Sequence, residues 1–392
     1  MLKIGVIGYG NRINGIIRCL RDIEPELQLA GIVDPDEAGV RNRLFECDKK
    51  NARFFKDIRE MVKVGKPDAL AIGTRCNLHA QYAMEASKYD LPLFLEKPVS
   101  ISMEQAFSLE KAFEKSKCRV LVSFPLRLSP LCEMTRNYLA KGSIGEPVHI
   151  MASNYVNYGT VYWEQGYRDF KITQGLFLQK ATHDLDYIMY LMDAPITRVA
   201  AMATKGKVFG GDKKRGLKCS ICNERESCLE SPANRRRNKS GGTMGDHNCV
   251  FSVDCGSIST GTNEDASSVL FEFASGAHGV YTQNFFARRD AAKRGSIISG
   301  YQGTLDFDWY RNELKYVRHH SPFSDVIMAS EGMSHFGGDM ELADNFVSMV
   351  KYNAPPKATI WHGIQSVYAC LAAKESEKSG KFVEVRQIGK SP

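Results

Sequence analysis

Short apolar segments alternate with amphipathic stretches along the first third of the chain. Between them, helical patterns run from Asn14 to Ile23, from His79 to Tyr89 and from Ser102 to Ser116. Alternation of this kind is typical of a doubly wound parallel sheet, because each helix carries the chain back to the start of the next strand. We therefore predict an α/β domain over residues 1–125, with strands at Lys3–Ile7, Gln28–Val33, Asp68–Gly73, Pro92–Leu95 and Arg119–Phe124.

The pattern changes after Pro125, where long strand-like segments replace the regular alternation. Short turns join these segments, which predicts an α+β domain over residues 126–392 with a large, mostly antiparallel sheet. Helices are expected at His183–Met192, Gly338–Tyr352 and Gly363–Lys378, and strands at Val148–Val156, Ile196–Thr204, Ser267–Phe273, Gly279–Phe285 and Gly295–Ser299. One face of such a sheet needs cover, so we expect a homodimer or homotetramer formed through it.

The composition is ordinary for a globular protein, with 43% hydrophobic and 25% charged residues. No apolar run approaches the roughly 18 residues that a membrane span requires. The first residues resemble a glycine-broken strand rather than a secretory signal. Eleven cysteines without such a signal fit a reducing compartment better than a disulfide framework. We expect a cytoplasmic protein that does not enter membranes.

The formal net charge of +7 raises the question of nucleic acid binding. Much of the local excess of positive charge lies in two short runs, at 213–215 and 235–239, inside a polar segment at about 205–248 that is rich in Gly, Lys, Arg and Cys. Charge runs in a loop of this kind are usually solvated. The sequence therefore predicts an insertion in the second domain and no nucleic acid partner.

The first predicted strand runs into the turn Gly8-Tyr9-Gly10 and then into a helix. Glycines let the chain turn sharply and let the backbone approach a pyrophosphate, which the amides at a helix start can bind. The two glycines, together with Asn11 and Arg12, are the candidates for this contact. Ile13 replaces the third glycine of the G-x-G-x-x-G pattern, so the turn alone could equally be a tight strand-to-helix connection.

The residue at the end of the second predicted strand distinguishes between the possible dinucleotides. The strand ends at Asp34, near the spacing of about 20 residues at which a carboxylate binds the adenine ribose hydroxyls. This carboxylate would repel a 2′-phosphate, and the Pro35-Asp36 that follows offers no Arg or Lys to bind one. The combination predicts an NAD site in preference to an NADP site.

Polar residues also follow two other strands, at the edge where open α/β sheets bind ligands. Thr74 follows one of these strands, and Glu96 with Lys97 follows the next. These side chains are further candidates for the cofactor site. His79 belongs to the same group, although capping or packing the helix that begins there is its plainer interpretation.

Taken together, these motifs resemble the glucose-fructose oxidoreductase, inositol dehydrogenase and rhizopine catabolism family, abbreviated Gfo/Idh/MocA. The resemblance rests on Gly8-Tyr9-Gly10, residues 74–79, Glu96-Lys97-Pro98 and His183-Asp184-Leu185-Asp186, and it covers nearly the whole chain. It implies a Rossmann domain that binds NAD(P), a C-terminal sheet domain, and oxidation or reduction of a sugar, polyol or related hydroxyl compound. The expected partner is a small-molecule carbohydrate substrate.

The resemblance implies catalytic roles for two residues, and their chemistry agrees. Lys97 would stand beside the nicotinamide, where its ammonium can stabilise alkoxide character on the reacting oxygen. His183 would take the hydroxyl proton while hydride leaves the same carbon, a task that suits an imidazole. Asp186, one helical turn further on, could orient the ring. The plainer interpretations are a surface lysine paired with Glu96 and a histidine that caps or packs a helix.

One departure from the family pattern lies four residues before the histidine. Dehydrogenases of the inositol type carry an aspartate there, whereas this chain has Gln179, which cannot share a proton. Polyol oxidation by an aspartate-assisted relay is therefore in doubt. Lys180 follows, and similar strings in one branch of the family point to substrate binding. Tyr167, Arg168 and Trp163 could line the same site or be ordinary core and loop residues.

The insertion contains a group of cysteines. Cys219 and Cys222 form a CxxC motif, and Cys228 and Cys249 follow, so four thiolates could hold a structural zinc ion. Some members of the family branch carry a similar group. A single CxxC motif is a weaker signal than a pair, so free thiols stay open as an alternative, and an iron–sulfur cluster is a further one.

Two functions compete with an NAD-dependent dehydrogenase. The first is a glycoside hydrolase in which tightly held NAD oxidises the sugar transiently, so that elimination and re-addition cleave the bond without net redox change. Gln179 and the segment from His335 to Asp339 keep this alternative open. The second is a non-catalytic NAD-binding regulator, which the presence of both Lys97 and His183 disfavours.

Overall fold

The computed structural model describes residues 1–255, 262–329 and 334–389. Within these ranges the chain forms two compact units. The first unit comprises residues 1–130 with the described parts of 331–368 and 388–390, and the second comprises 131–329 with 369–387. The assignment of cofactor binding to residues 1–125 and substrate binding to 126–392 stays a prediction.

The sheet of the first unit is parallel, as the sequence predicted. Its strands are β1 (Lys3–Ile7), β2 (Gln28–Val33), β3 (Ala69–Ile72), β4 (Leu93–Leu95) and β5 (Val120–Val122). They lie in the order β2-β1-β3-β4-β5, and every neighbouring pair is parallel. The residues of β3, β4 and β5 are all buried, which explains their continuous apolar sequence.

The helices of the chain begin and end at residues that the sequence partly signals. Ser102, where the sequence predicts a helix to start, caps that helix by accepting a hydrogen bond from the amide of Gln105. The helices are α1 (Asn11–Ile23), α2 (Glu37–Arg43), α3 (Glu46–Lys49), α4 (Ile58–Gly65), α5 (His79–Ala86), α6 (Met103–Glu114), α7 (Pro130–Ala140), α8 (Val161–Glu164), α9 (Phe170–Thr173), α10 (Leu176–Met192), α11 (Pro232–Asn238), α12 (Gly338–Tyr352) and α13 (Ile360–Ser379).

The sheet of the second unit is larger and mostly antiparallel, again as predicted. Its strands lie in the order β13-β12-β11-β10-β6-β9-β8-β7-β14, and β6 with β9 is its parallel pair. The hairpins from β11 to β13 extend the sheet beyond the predicted strands. The bounds are β6 (Pro147–Tyr155), β7 (Ile196–Lys205), β8 (Glu264–Phe273), β9 (His278–Asn284), β10 (Lys293–Gly300), β11 (Gly303–Asp308), β12 (Glu313–Arg318), β13 (Ser324–Met328) and β14 (Val383–Glu384).

Helix α10 begins two turns earlier than predicted, at Leu176 instead of His183. Gly175 precedes it with φ +98°, and the Glu264 carboxylate accepts hydrogen bonds from the amides of Leu176 (2.6 Å) and Phe177 (3.1 Å). This carboxylate satisfies amides that a side chain near the helix start would otherwise cap. Because the cap comes from a distant strand, local sequence gave no signal for it, and His183 lies inside the helix.

Among the helices of the described ranges, none is both long enough and apolar enough to cross a membrane.

Candidate active site

The turn after β1 has the geometry of a dinucleotide-binding turn. Gly8 has φ +79°, and a Cβ there would lie 2.6 Å from the Thr74 amide nitrogen, so only glycine fits. Gly10 precedes the first residue of α1 and has open space, since a Cβ there would meet only the Gly73 carbonyl at 3.9 Å. Asn11 is exposed at the helix start. The amides there can therefore be approached by a pyrophosphate.

A glycine outside the G-x-G-x-x-G pattern takes over the packing role of the third glycine of that pattern. Ile13 is fully buried, and a Cβ on Gly73 would lie 2.0 Å from the Ile13 Cγ1 atom. The missing Cβ that lets helix and strand pack closely is thus at the end of β3 instead of in α1. This explains why an imperfect motif still forms the expected strand-to-helix turn.

Asp34 lies at the end of β2 with its carboxylate fixed by backbone amides. One oxygen accepts a hydrogen bond from the amide of Tyr9 at 2.8 Å, and the other accepts one from the amide of Asp36 at 2.9 Å. Each carboxylate oxygen can accept a further bond. The residue is half-buried, so the remaining acceptor positions suit the hydroxyls of a ribose. This fits the group that the sequence predicts here.

Arg12 binds carboxylates of its own unit. Its Nε donates to Glu96 Oε1 at 2.9 Å, and its two terminal nitrogens donate to the two oxygens of Asp339 at 2.7 Å each. Burial would raise the pKa of Asp339, but hydrogen bonds from His335 and Arg12 hold it well below its usual range. Direct contact of Arg12 and Glu96 with a cofactor stays a prediction. What the structure shows is that Arg12 orients Glu96, the residue before Lys97.

His79 ties together the loops that follow β3 and β4. Its Nδ1 lies 2.7 Å from the Pro98 carbonyl and its Nε2 lies 3.1 Å from the Thr74 carbonyl. Burial lowers the pKa of this histidine, and a neutral ring can donate to only one of the two carbonyls. Lys97 is half-buried next to these loops, and the Lys97–Pro98 peptide bond is cis. His79 thus fixes the loop that carries Lys97.

In the second unit, α10 carries the other predicted site residues on one face. Lys180 and His183 are each 5% exposed and stand three residues apart, a spacing that places side chains on the same side of a helix. Gln179 is buried beside them. The helix therefore presents an ammonium and an imidazole in neighbouring positions.

Two tyrosines that were not predicted surround Lys180. Its Nζ donates to the Tyr158 hydroxyl at 3.2 Å and lies over the rings of Tyr158 and Tyr162, at 5.5 and 5.6 Å from their centroids. The ammonium lowers the pKa of Tyr158. Burial alone would lower the pKa of Lys180, but attraction to the negative charge that Tyr158 and Tyr162 carry when they ionise raises it. Burial raises the pKa of Tyr162 to about 12.

Asp184 follows the histidine and points into a buried network. Its carboxylate accepts hydrogen bonds from Arg294 Nε at 3.0 Å, Asn154 Nδ2 at 3.0 Å and the Tyr281 hydroxyl at 2.9 Å. Arg294 lies on β10 and the other two on β6 and β9. The network joins α10 to the middle of the large sheet and holds the helix in place.

The three residues proposed from sequence to line the substrate site make contacts within the second unit. The Tyr167 ring packs against Tyr162 with centroids 5.5 Å apart, and the buried Trp163 packs against Phe209 at 4.3 Å. Arg168 donates to Ser252 Oγ at 2.8 Å and pairs with Asp254 at 2.9 Å. Contact of Tyr167 or Arg168 with substrate stays a prediction.

The insertion is tied to the segment that carries the two tyrosines. Arg235 of α11 and Glu164 of α8 are both fully buried and form an ion pair at 2.5 Å. Glu230 pairs with the same guanidinium at 2.7 Å. The Glu164 carboxylate also accepts from the amide of Thr243 at 2.9 Å. Since Tyr162 belongs to α8, the insertion helps to fix the surroundings of Lys180.

The cysteines of the insertion are free thiols. Burial raises the pKa of Cys219 to about 12, and the nearby Cys228 and Cys249 raise it further. The Cys219 sulfur also lies 3.5 Å from His247 Nε2. Within residues 1–255, 262–329 and 334–389, no group of three or more His, Cys, Asp or Glu side chains is arranged to hold a metal ion.

Comparison with known sequences identifies the family whose models match this chain. A model described as the oxidoreductase family with an NAD-binding Rossmann fold matches residues 2–124, and the GFO/IDH/MocA C-terminal domain matches residues 133–306. The chain is 24% identical over 200 residues to the scyllo-inositol 2-dehydrogenase (NAD(+)) of Bacillus subtilis, which covers 51% of this chain and 55% of that protein. It thus spans about half the length of the curated relatives that it matches.

Solved structures match over nearly the whole chain. Levoglucosan dehydrogenase in complex with NADH has a TM-score of 0.76 at 17% identity and covers 99% of this chain and 100% of that one. An NAD binding oxidoreductase from Klebsiella pneumoniae has a TM-score of 0.74 at 20% identity, with coverages of 98% and 99%. At these identities the likeness shows the fold, which the two sheets described above already define.

Proposed function

The chain belongs to the GFO/IDH/MocA oxidoreductase family, and from this premise we propose that it is an NAD-dependent dehydrogenase of a sugar, polyol or sugar derivative. The observation that carries the proposal is the polar edge of the five-stranded sheet. There, the open amides at the start of α1 follow β1, the amide-anchored Asp34 follows β2, and Lys97 follows β4. This arrangement suits a dinucleotide and a reacting oxygen. Bound NAD would supply the acceptor of a hydride from a CH–OH group.

We propose NAD in preference to NADP because of Asp34. A 2′-phosphate would meet a carboxylate that two backbone amides hold in place. The B. subtilis relative is named as an NAD(+) enzyme. Binding of both cofactors to the wild type and to Asp34→Ala, measured by calorimetry, tests the preference. Equal affinity of the wild type for NAD and NADP would contradict it.

Two residues would carry the chemistry in this proposal. The Lys97 ammonium stabilises negative charge on the substrate oxygen, and His183 accepts the hydroxyl proton. Thr74 and His79 shape the cofactor site, and Gln179 with Lys180 contacts the substrate. Gln179 does not ionise, so the imidazole acts without the carboxylate that the inositol-type enzymes carry at this position. Residues 1–125 bind the cofactor and residues 126–392 bind the substrate.

Incubation with NAD and a panel of sugars and polyols tests the activity. A dehydrogenase produces NADH, whereas a glycoside hydrolase releases the aglycone without net NADH, and a regulator binds NAD without doing either. Lys97→Ala should lower turnover about 100-fold or more, the scale of losing one electrostatic donor, while NAD binding persists. Lys115→Ala, an exposed lysine, is the matched control. An unchanged rate in Lys97→Ala would exclude the role of this lysine.

We also propose that the chain forms a homodimer or homotetramer through the outer face of its large sheet. Met151, Leu270 and Met202 are exposed on strands β6, β8 and β7, where the strand register places them on one face. An exposed apolar patch of this kind is typical of an interface. Light scattering of the wild type and of Leu270→Lys tests this, and a monomeric wild type would contradict it.

The cellular setting and the zinc ion belong to the same proposal. All eleven cysteines are free, which supports a reducing, cytoplasmic compartment. A structural zinc ion on Cys219, Cys222, Cys228 and Cys249 stays a prediction, because the thiols are close but do not form a metal-holding group in the described chain. Metal analysis of the purified protein decides this point.

A further inference from the structure

The buried cations of the second unit differ in how their charge is balanced. Arg235, Arg294 and Lys180 are all at most 5% exposed. Arg235 pairs with two carboxylates, and Arg294 pairs with Asp184. Lys180 has phenol hydroxyls and ring faces as its neighbours instead. In the ranges that the structure describes, no carboxylate lies within 4.0 Å of its ammonium nitrogen.

An ammonium without a counter-charge is costly in a buried position. Removing an ion from water costs several kcal/mol unless an opposite charge or enough hydrogen bonds compensate it. As long as Tyr158 and Tyr162 keep their protons, their hydroxyls and rings compensate only in part, because they carry dipoles instead of a full negative charge. Since Asp184 neutralises Arg294, one positive charge is left over in this cluster. An unbalanced buried charge of this kind is expected in a binding site, where the ligand carries the opposite charge.

The cluster is rich in hydrogen-bond donors and reaches the protein surface at Tyr158. Tyr158 is 39% exposed although its hydroxyl contacts the buried ammonium. Tyr162 and Tyr310 lie close enough to share the electrostatic field of Lys180. An ammonium and phenol hydroxyls can all donate to one acceptor group. This combination suits an anion with several oxygen atoms better than it suits a neutral hydroxyl.

We propose that Lys180 and Tyr158 bind an anionic group of the substrate, so that the enzyme acts on an acidic carbohydrate instead of a neutral polyol. The inference rests on the proposed function, which makes this face of α10 the substrate site. The anionic group is a carboxylate, sulfate or phosphate, since these share the chemistry that an ammonium and phenols recognise. Lys180 confers specificity in this account, and Lys97 and His183 keep the roles given above.

Binding of simple anions to the NADH-saturated protein tests the proposal without turnover. Sodium acetate, sulfate and phosphate are titrated by calorimetry at constant ionic strength, with NADH occupying the pyrophosphate site. Lys180→Met removes the charge, Lys180→Arg keeps it, and Lys214→Met is the exposed control. We expect at least one anion to bind the wild type, Lys180→Arg and the control. Its dissociation constant should rise at least tenfold in Lys180→Met.

Each result decides the question. Acetate as the tightest ligand identifies a carboxylate substrate, and sulfate or phosphate as the tightest identifies an ester of that acid. Equal binding of all three anions to wild type and Lys180→Met, or no binding to either, overturns the proposal. Ionised Tyr158 in the wild type at neutral pH, seen by ultraviolet absorbance, also overturns it, because a phenolate would already balance the charge. If anions bind but no sugar is oxidised, the proposed function fails instead.

Discussion

Arg294 and Lys180 are both buried cations in the second unit, yet their partners differ in kind. Arg294 makes a bidentate contact with Asp184, which also accepts hydrogen bonds from Asn154 and Tyr281. Lys180 donates to Tyr158 and lies over aromatic rings. A satisfied buried ion pair fixes one arrangement of its elements. The Lys180 ammonium has no carboxylate partner and contributes little to fixing the arrangement of these elements. We therefore assign Lys180 to ligand binding.

The largest expected effect comes from breaking the satisfied pair. Asp184→Ala leaves Arg294 buried without its counter-charge, which should lower the free energy of unfolding by about 3–5 kcal/mol. Urea denaturation followed by circular dichroism measures this. Asp325→Ala is the matched control, because its carboxylate pairs with Arg318 but is 47% exposed. The control should change stability by less than about 0.5 kcal/mol. A similar loss in both variants would contradict the comparison.

Removing the Lys180 ammonium should not lower the free energy of unfolding, in contrast to breaking the Arg294–Asp184 pair. Lys180→Met replaces a buried ammonium by an apolar side chain of similar length, so stability should stay the same or rise by up to about 2 kcal/mol. Denaturant midpoints of the free protein measure the change. A loss of several kcal/mol would show that Lys180 holds the fold together as Arg294 does.

A smaller effect is expected on proton binding by Tyr158. Lys180 lowers the pKa of this phenol, so it should ionise at lower pH than the other tyrosines. The charged and titratable groups that face it are Lys180, Arg294, Tyr162 and Tyr310. As pH rises through this pKa, the phenolate neutralises Lys180, and anion affinity should fall.

Ultraviolet difference titration of the wild type and Tyr158→Phe measures this ionisation. The first tyrosine to ionise should be missing in Tyr158→Phe and should move to higher pH in Lys180→Met. The anion affinity of Tyr158→Phe should be a few-fold weaker at neutral pH and should lose its dependence on this pKa. Identical titration curves for wild type and Tyr158→Phe would contradict the pairing.

The smallest effect concerns the cap of α10. Glu264→Gln keeps a carbonyl oxygen for the amides of Leu176 and Phe177, so stability should change by no more than about 1 kcal/mol. Burial raises the pKa of Glu264, and its contribution to stability is therefore lost as pH rises through that pKa. Over the same pH interval, the free energy of unfolding of Glu264→Gln should therefore rise relative to that of the wild type. Denaturation at acidic and neutral pH, with exposed Glu384→Gln as control, would show whether it does.

The first unit followed closely from the sequence. Strands β1 and β2 have the predicted bounds because a continuous apolar run next to a glycine turn has few alternatives. Asp34 was found by its spacing from that turn. Glu264 as the cap of α10, and Asp339 as the partner of Arg12, were not found. Their contacts join residues that are far apart in the chain, and no local pattern encodes them.

The surroundings of Lys180 show the same limit within the candidate site. The sequence placed Lys180 near substrate, but Tyr158 and Tyr162 gave no sign beyond being aromatic residues after a strand. The position of Tyr162 depends on the insertion, because Arg235 of the insertion pairs with Glu164 of α8. Basic residues in the insertion were predicted to be solvated, and for the fully buried Arg235 that was wrong. A run of charge does not reveal which member has a buried partner.

The most direct test of the account is the initial rate of NADH formation from matched neutral and acidic sugars. Glucose with glucuronate, galactose with galacturonate, and glucose with glucose 6-phosphate form suitable pairs. We predict that the wild type reduces NAD faster with the acidic member of at least one pair, and that Lys180→Met loses this preference. Equal rates within every pair, or a preference that survives in Lys180→Met, would contradict it.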